Sequence, residues 1–129
     1  MDIIVTTPKD QIKNAAKEAE KALSGEVSHY FRHFKKPPID LNIGDKVFYV
    51  EDGYVRGFAV VVSITTEKGV PCSTTGLKYG EGVYVWMPVN TWNWIKPIPM
   101  KGFQGFRYVP DDFIFEVVGD WIDKKPEII

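Results

Sequence analysis

The dipeptide Asp52-Gly53 stands between two runs rich in β-branched and aromatic residues, Lys46–Val50 and Tyr54–Ile64. Asp-Gly suits the two-residue turns whose positive φ angles match the twist of paired strands, so this stretch predicts a β-hairpin. Gly57 interrupts the second run, where a bulge or a close backbone approach is expected. Asn42, Gly44 and Asp45 supply the turn that launches the hairpin, and Pro37 and Pro38 disfavour a regular element running into it. A chain with this hairpin at its centre is committed to β structure.

The flanking segments extend that pattern. Ile3, Ile4 and Val5 read as a first strand, ended by Thr7 and Pro8, which suit the N-cap and first position of a helix. Ile12, Ala15, Ala16, Ala19 and Leu23 recur at helical spacing, with Lys13, Lys17, Glu18 and Lys21 on the other side and Gly25 as a stop. The spacing predicts a helix over residues 9–23, with Ile12, Ala16, Ala19 and Leu23 facing inward. Residues 65–82 read as an irregular excursion, 83–89 and 92–95 as strands, and 113–118 as a final strand, with Pro97 and Pro99 holding the chain extended between them. The expected fold is α+β: a strongly curved, mostly antiparallel β-sheet or small barrel with one main N-terminal helix packed on it. A length of 129 residues with 44% hydrophobic content fits one domain over residues 1–129.

Charge narrows the functional classes. Lys and Arg total 16 against 17 Asp and Glu, a formal net charge of −1, which argues against a broad electrostatic grip on duplex nucleic acid. Any nucleic-acid site must be local. The stretch from Val83 to Pro110 has no acid yet carries Lys96, Lys101 and Arg107, whereas six acids fall between Asp111 and Ile129. The one cysteine, Cys72, supplies neither an intrachain disulfide framework nor a thiolate-rich zinc site, so a reducing, cytoplasmic setting is the simpler expectation. No apolar run approaches the roughly 20 residues needed to cross a bilayer, and Met1–Thr7 lacks the parts of a signal peptide.

Rings interleaved with cations and free of acids suit a single-stranded or extruded base, because rings stack and Lys or Arg meets phosphate. Tyr84–Tyr108 has that composition, although alternation along a strand is also how Trp86, Trp92 and Trp94 would serve the core. A second cluster, His29, Tyr30, Arg32, His33, Lys35 and Lys36, is basic and aromatic; its plainer reading is a solvated loop. His29 and His33 could share a metal only on a helix, and no third ligand accompanies them, so neither metal nor cofactor is expected. Cys72 has no local base, and neither a Walker loop nor a dinucleotide fingerprint is present.

Three segments, Gly44–Tyr49, Val55–Val60 and Lys96–Phe106, together resemble small ASCH-type members of the PUA-like superfamily over roughly residues 24–109, the Pro- and Gly-rich third segment being the most distinctive. The resemblance implies a pseudobarrel with a cleft for RNA or for a modified base or nucleoside. Some small ASCH relatives are implicated in amide hydrolysis of an acylated cytidine through a Lys, a Thr and a Glu. In the family's Gly-x-Lys-x-x-Glu-x-Arg run, Gly25 and Arg32 match, but Val27 stands in place of Lys and Tyr30 in place of Glu. A candidate base and its charge partner are thereby lost.

The leading expectation is a binding module for RNA, single-stranded nucleic acid or a modified nucleoside. Tyr30, Arg32 and His33 flank its cleft; Trp92, Trp94, Lys96, Lys101, Gln104 and Arg107 form the opposite wall. Lys96, Lys101 and Arg107 would contact phosphate or a polar base edge, and Trp92 or Trp94 would stack. The alternatives are an enzyme of amidohydrolase or nuclease type acting on a modified nucleoside or nucleic acid, and a protein-interaction domain whose exposed aromatics bind a peptide.

Overall fold

The computed structural model describes residues 1–7, 15–26, 28–71 and 79–128. In chain order the elements are β1 (Ile3–Thr6), α1 (Ala15–Leu23), β2 (His29–Phe34), β3 (Lys46–Glu51), β4 (Tyr54–Val60), β5 (Ser63–Glu67), β6 (Gly82–Pro88), a 3-10 turn (Val89–Thr91), β7 (Asn93–Pro99), β8 (Phe106–Tyr108) and β9 (Val117–Asp120). The strands form a six-stranded sheet in the order β8-β1-β3-β4-β7-β9 and a three-stranded sheet in the order β2-β6-β5. The expected curved sheet is thus two sheets, and neither closes into a barrel. Pairing is antiparallel throughout except that β1 runs parallel to β3.

The central hairpin forms as its sequence requires. Asp52 and Gly53 both adopt positive φ, 51° and 85°, between β3 and β4. The β3–β4 register slips where Tyr49 faces Gly57 and Val50 faces Val55, leaving Arg56 as the extra residue of a bulge. At its start, Asp45 accepts from the Asn42 main-chain N–H at 2.8 Å and pairs with the N-terminal ammonium, which holds its carboxyl below the usual range.

The long run Tyr54–Ile64 is not one strand. Val61 still bonds the Asp45 carbonyl of the first sheet, but the Val62 N–H donates to the Trp86 carbonyl of the second, so the chain changes sheet between these two valines. The expected excursion begins late for the same reason, since Thr65–Glu67 already pairs with β6. The expected final strand begins at Val117, because Phe113 and Phe115 are spent as packing residues under the larger sheet.

Both faces of the six-stranded sheet are covered, which explains its nearly continuous apolar strands. One face contributes Ile3, Val5, Val47 and Ala59 to a core shared with Phe34, Val85 and Met87 of the smaller sheet. The other buries Ile4, Phe48, Val50, Phe58 and Ile95 beneath Met100, Phe103, Val109, Phe113 and Phe115.

The helix departs from expectation. Its described part starts at Ala15, Leu23 is 63% exposed, and Ala19 is exposed as well. The assigned inward face is therefore wrong at both positions, and packing of the helix on the sheet does not follow from them. Ile12, Ala16 and Cys72 lie outside the residues whose side chains the structure describes. No helix among the described residues is long and apolar enough to cross a membrane.

Candidate functional site

Register places most of the candidate residues. Directly opposed residues of an antiparallel pair share a face. On β2, Tyr30 opposes Met87 and Arg32 opposes Val85, both core residues, so Tyr30 and Arg32 point toward the larger sheet. His29, Phe31 and His33 point away. His33 belongs to an aromatic cluster on the outer side of the small sheet, with its ring 4.9 Å from Tyr84 and 5.5 Å from Tyr79. The segment His29–Phe34 is accordingly a strand and not a solvated loop. Along a strand, His29 and His33 are separated by about 13 Å, too far to share a metal, and no group of His, Cys, Asp and Glu suited to a metal occurs among the described residues.

The larger sheet answers with rings on the same intersheet side. Tyr49 lies beside Val5 on β1 and opposite Gly57 on β4. Its hydroxyl donates to the Met87 sulfur at 3.8 Å, across to the smaller sheet, and its ring lies 5.7 Å from Trp92. Trp92 and Trp94 meet edge to face at 5.2 Å. Gly57 makes room for them: a β-carbon there would collide with the Asn93 carbonyl and the Trp92 ring. Trp92 is therefore a packing residue at the rim of the core, with its indole Nε1 buried and unbonded among the described residues. The Trp94 indole donates to the Asp123 carbonyl at 3.2 Å.

Arg32 crosses between the sheets. Its guanidinium donates to the Thr6 carbonyl at 3.0 Å, and no carboxylate pairs with it among the described residues. Thr6 in turn accepts from the Phe103 N–H through its hydroxyl at 3.0 Å, while Gly102 packs against its methyl group. The limb carrying Lys101 and Gln104, both exposed, is thereby fastened to the end of β1 that Arg32 reaches.

The wall expected from Trp94 to Arg107 does not form one surface. Arg107 opposes Ile4, so it sits on the far face of the large sheet, its guanidinium 4.1 Å from the centre of the Phe103 ring. Lys96 is exposed on β7, with its main-chain N–H bonded to Glu116. The intersheet face thus gathers Tyr30, Arg32, Trp92 and Trp94, while the limb with Lys101 and Gln104 packs through Met100 and Phe103 on the far face and reaches the end of β1 whose Thr6 carbonyl Arg32 holds. His33 and Arg107 lie elsewhere. Sequence reasoning missed Tyr49 and Thr6. Tyr49 carried a signal, as a large ring at the register position facing the bulge glycine.

No protein-family model matches the chain, and no curated protein matches it. Solved structures do. Two point mutants of the ASCH protein ZmASCH from Zymomonas mobilis, one Ser-to-Ala and one Tyr-to-Phe, superpose with TM-scores of 0.53 and 0.52 at 12% identity. Each match covers 85% of this chain, with 89% and 91% of the other chain. At that identity the likeness concerns the fold, and the fold is ASCH-type.

Proposed function

We propose that this chain is a binding module for nucleic acid, RNA foremost, or for a modified base or nucleoside, with the ligand base received at the rim between the two sheets. One observation carries the reading: strand register brings Arg32, a guanidinium that no carboxylate neutralises among the described residues, onto the same intersheet face as the rings of Tyr30, Tyr49, Trp92 and Trp94. Aromatic faces receive bases of any sequence, and a cation beside them meets phosphate or a base edge. Lys101 and Gln104 stand exposed on the limb fastened to Thr6, at the end of β1 that Arg32 reaches. The ASCH-type fold is compatible with such a role, and the formal net charge of −1 requires that it be local.

The test is binding of single-stranded RNA, single-stranded DNA and modified nucleosides at two salt concentrations. A steep salt slope with RNA preference is expected for a strand ligand; a shallow slope with strong base preference marks an enclosed nucleoside. Absence of binding across the whole panel would refute the proposal.

A further inference from the structure

Arg56 is 5% exposed, and it is the charged residue within the buried set of the described residues. It arises from the β-bulge, where the chain inserts one residue between Val55 and Gly57. A buried cation is costly unless an anion or a full set of acceptors surrounds it. Arg56 has neither. Among the described residues its Nη2 donates to the Pro126 carbonyl, its Nε is buried with no acceptor, and no carboxylate pairs with it.

The position of the unbonded nitrogen is informative. In a guanidinium, Nε–H and one N–H of Nη2 point the same way along one edge, the fork that grips two oxygens of a single oxyanion. A neutral main-chain carbonyl occupies one prong here, and none of the described residues fills the other. Among the described residues the segment supplying that carbonyl is tied to strands β3 and β7 by the Trp94 indole on the Asp123 carbonyl at 3.2 Å and by Lys125 on Glu51 at 2.7 Å, its other bonds being local turns between Asp120 and Asp123. The residue after Arg56 is Gly57, against which the Trp92 ring packs and which Trp94 opposes.

We propose that Arg56 anchors a phosphate-binding site next to the tryptophan pair, and that the segment from Trp121 to Pro126 is a strap whose Pro126 carbonyl holds the place of one phosphate oxygen until the ligand displaces it. The phosphate of a nucleotide, with its base toward Trp92 and Trp94, is the ligand this arrangement fits. The identification of a nucleotide as the source rests on the proposed function; the phosphate site rests on Arg56 alone.

The site is tested by nitrogen-15 NMR, following the Arg56 Nε–H and Trp94 indole N–H signals while inorganic phosphate, cytidine and cytidine 5′-monophosphate are titrated separately. Phosphate and the monophosphate should shift both signals saturably and together, and cytidine should leave the Arg56 signal in place. Arg56→Lys keeps the charge but loses the fork and should weaken phosphate binding at least tenfold. Lys125→Ala removes a cation, which by simple electrostatics would weaken an anion; by loosening the strap it should instead tighten phosphate about two- to fivefold, the scale of an exposed ion pair. Should the monophosphate bind no better than phosphate, the site stands and the base-binding reading falls. The proposal is overturned by an Arg56 signal indifferent to phosphate, by unchanged affinity in a folded Arg56→Lys variant, or by weaker phosphate binding in Lys125→Ala.

Discussion

The guanidinium of Arg32 on β2 donates to the main-chain carbonyl of Thr6 on β1 at 3.0 Å, joining the small sheet to the end of the large sheet's parallel strand. The same group is the cation of the proposed base site. Arg32→Ala should cost about 1.5–3 kcal/mol of stability, the worth of a hydrogen bond to a charged group, and should weaken single-stranded RNA at least tenfold. Arg32→Lys should recover part of the affinity but less of the stability. Denaturant unfolding and RNA titration of both variants separate the two roles; unchanged RNA affinity in a folded Arg32→Ala protein would remove Arg32 from the site.

Gly57 offers a sharper structural test. The β-carbon of an alanine there would meet the Asn93 carbonyl and the Trp92 ring, so two strands and an indole must shift. Overpacking of this kind costs about 1–3 kcal/mol, occasionally more. Gly57→Ala should lower the melting temperature and perturb the Trp92 and Trp94 indole signals together.

The two tryptophans should respond differently to truncation. Trp92 packs against the core between Tyr49 and Trp94, so Trp92→Ala should cost about 3–5 kcal/mol, the scale of large aromatic deletions, reduced to the extent that the rim relaxes. Trp94 touches less of the core and bonds the Asp123 carbonyl. Trp94→Ala should spare most of the stability and, if its ring carries a base, weaken RNA by about 1–3 kcal/mol with little change in salt dependence. A sharp fall in melting temperature with RNA affinity intact in the folded fraction would make Trp94 a core residue alone.

Leu23→Ala is expected to change stability by no more than about 0.5 kcal/mol, because Leu23 is 63% exposed and truncation removes little buried surface. The helical periodicity of Ile12, Ala16, Ala19 and Leu23 pointed to a large loss. Periodicity identifies an apolar stripe but not what covers it, and here Ala19 and Leu23 at its end remain in solvent. The hairpin was legible because its cause is local: Asp52 and Gly53 accept positive φ between two strand-forming runs. The sheet change at Val61 and Val62 was not, since both valines suit one strand equally well and the switch is set by Asp45 and Trp86, distant in sequence. The same limit governed the site. Arg32 and the Trp pair stood out by residue type, but the faces on which Arg107 and His33 sit depend on which strands they pair with.

The way each cation is held makes the salt dependence of RNA binding informative. Lys101 is exposed on the limb that Phe103 fastens to Thr6, beside the carbonyl that Arg32 reaches. Arg107 lies on the far face of the sheet that this limb covers, but its guanidinium is held 4.1 Å from the centre of the Phe103 ring. A phosphate contact by one residue contributes about 0.7 to the salt slope of a single strand, and its loss weakens all sequences alike. Lys101→Ala should therefore lower the slope by about that amount, whereas Arg107→Ala should leave it nearly unchanged. Composition alone would have made the two equivalent, as cations of one acid-free stretch. An equal fall in both variants, with melting temperatures unaltered, would mean that the strand crosses the far face of the large sheet beside β8, and the base site would then have to be sought there and not between the sheets.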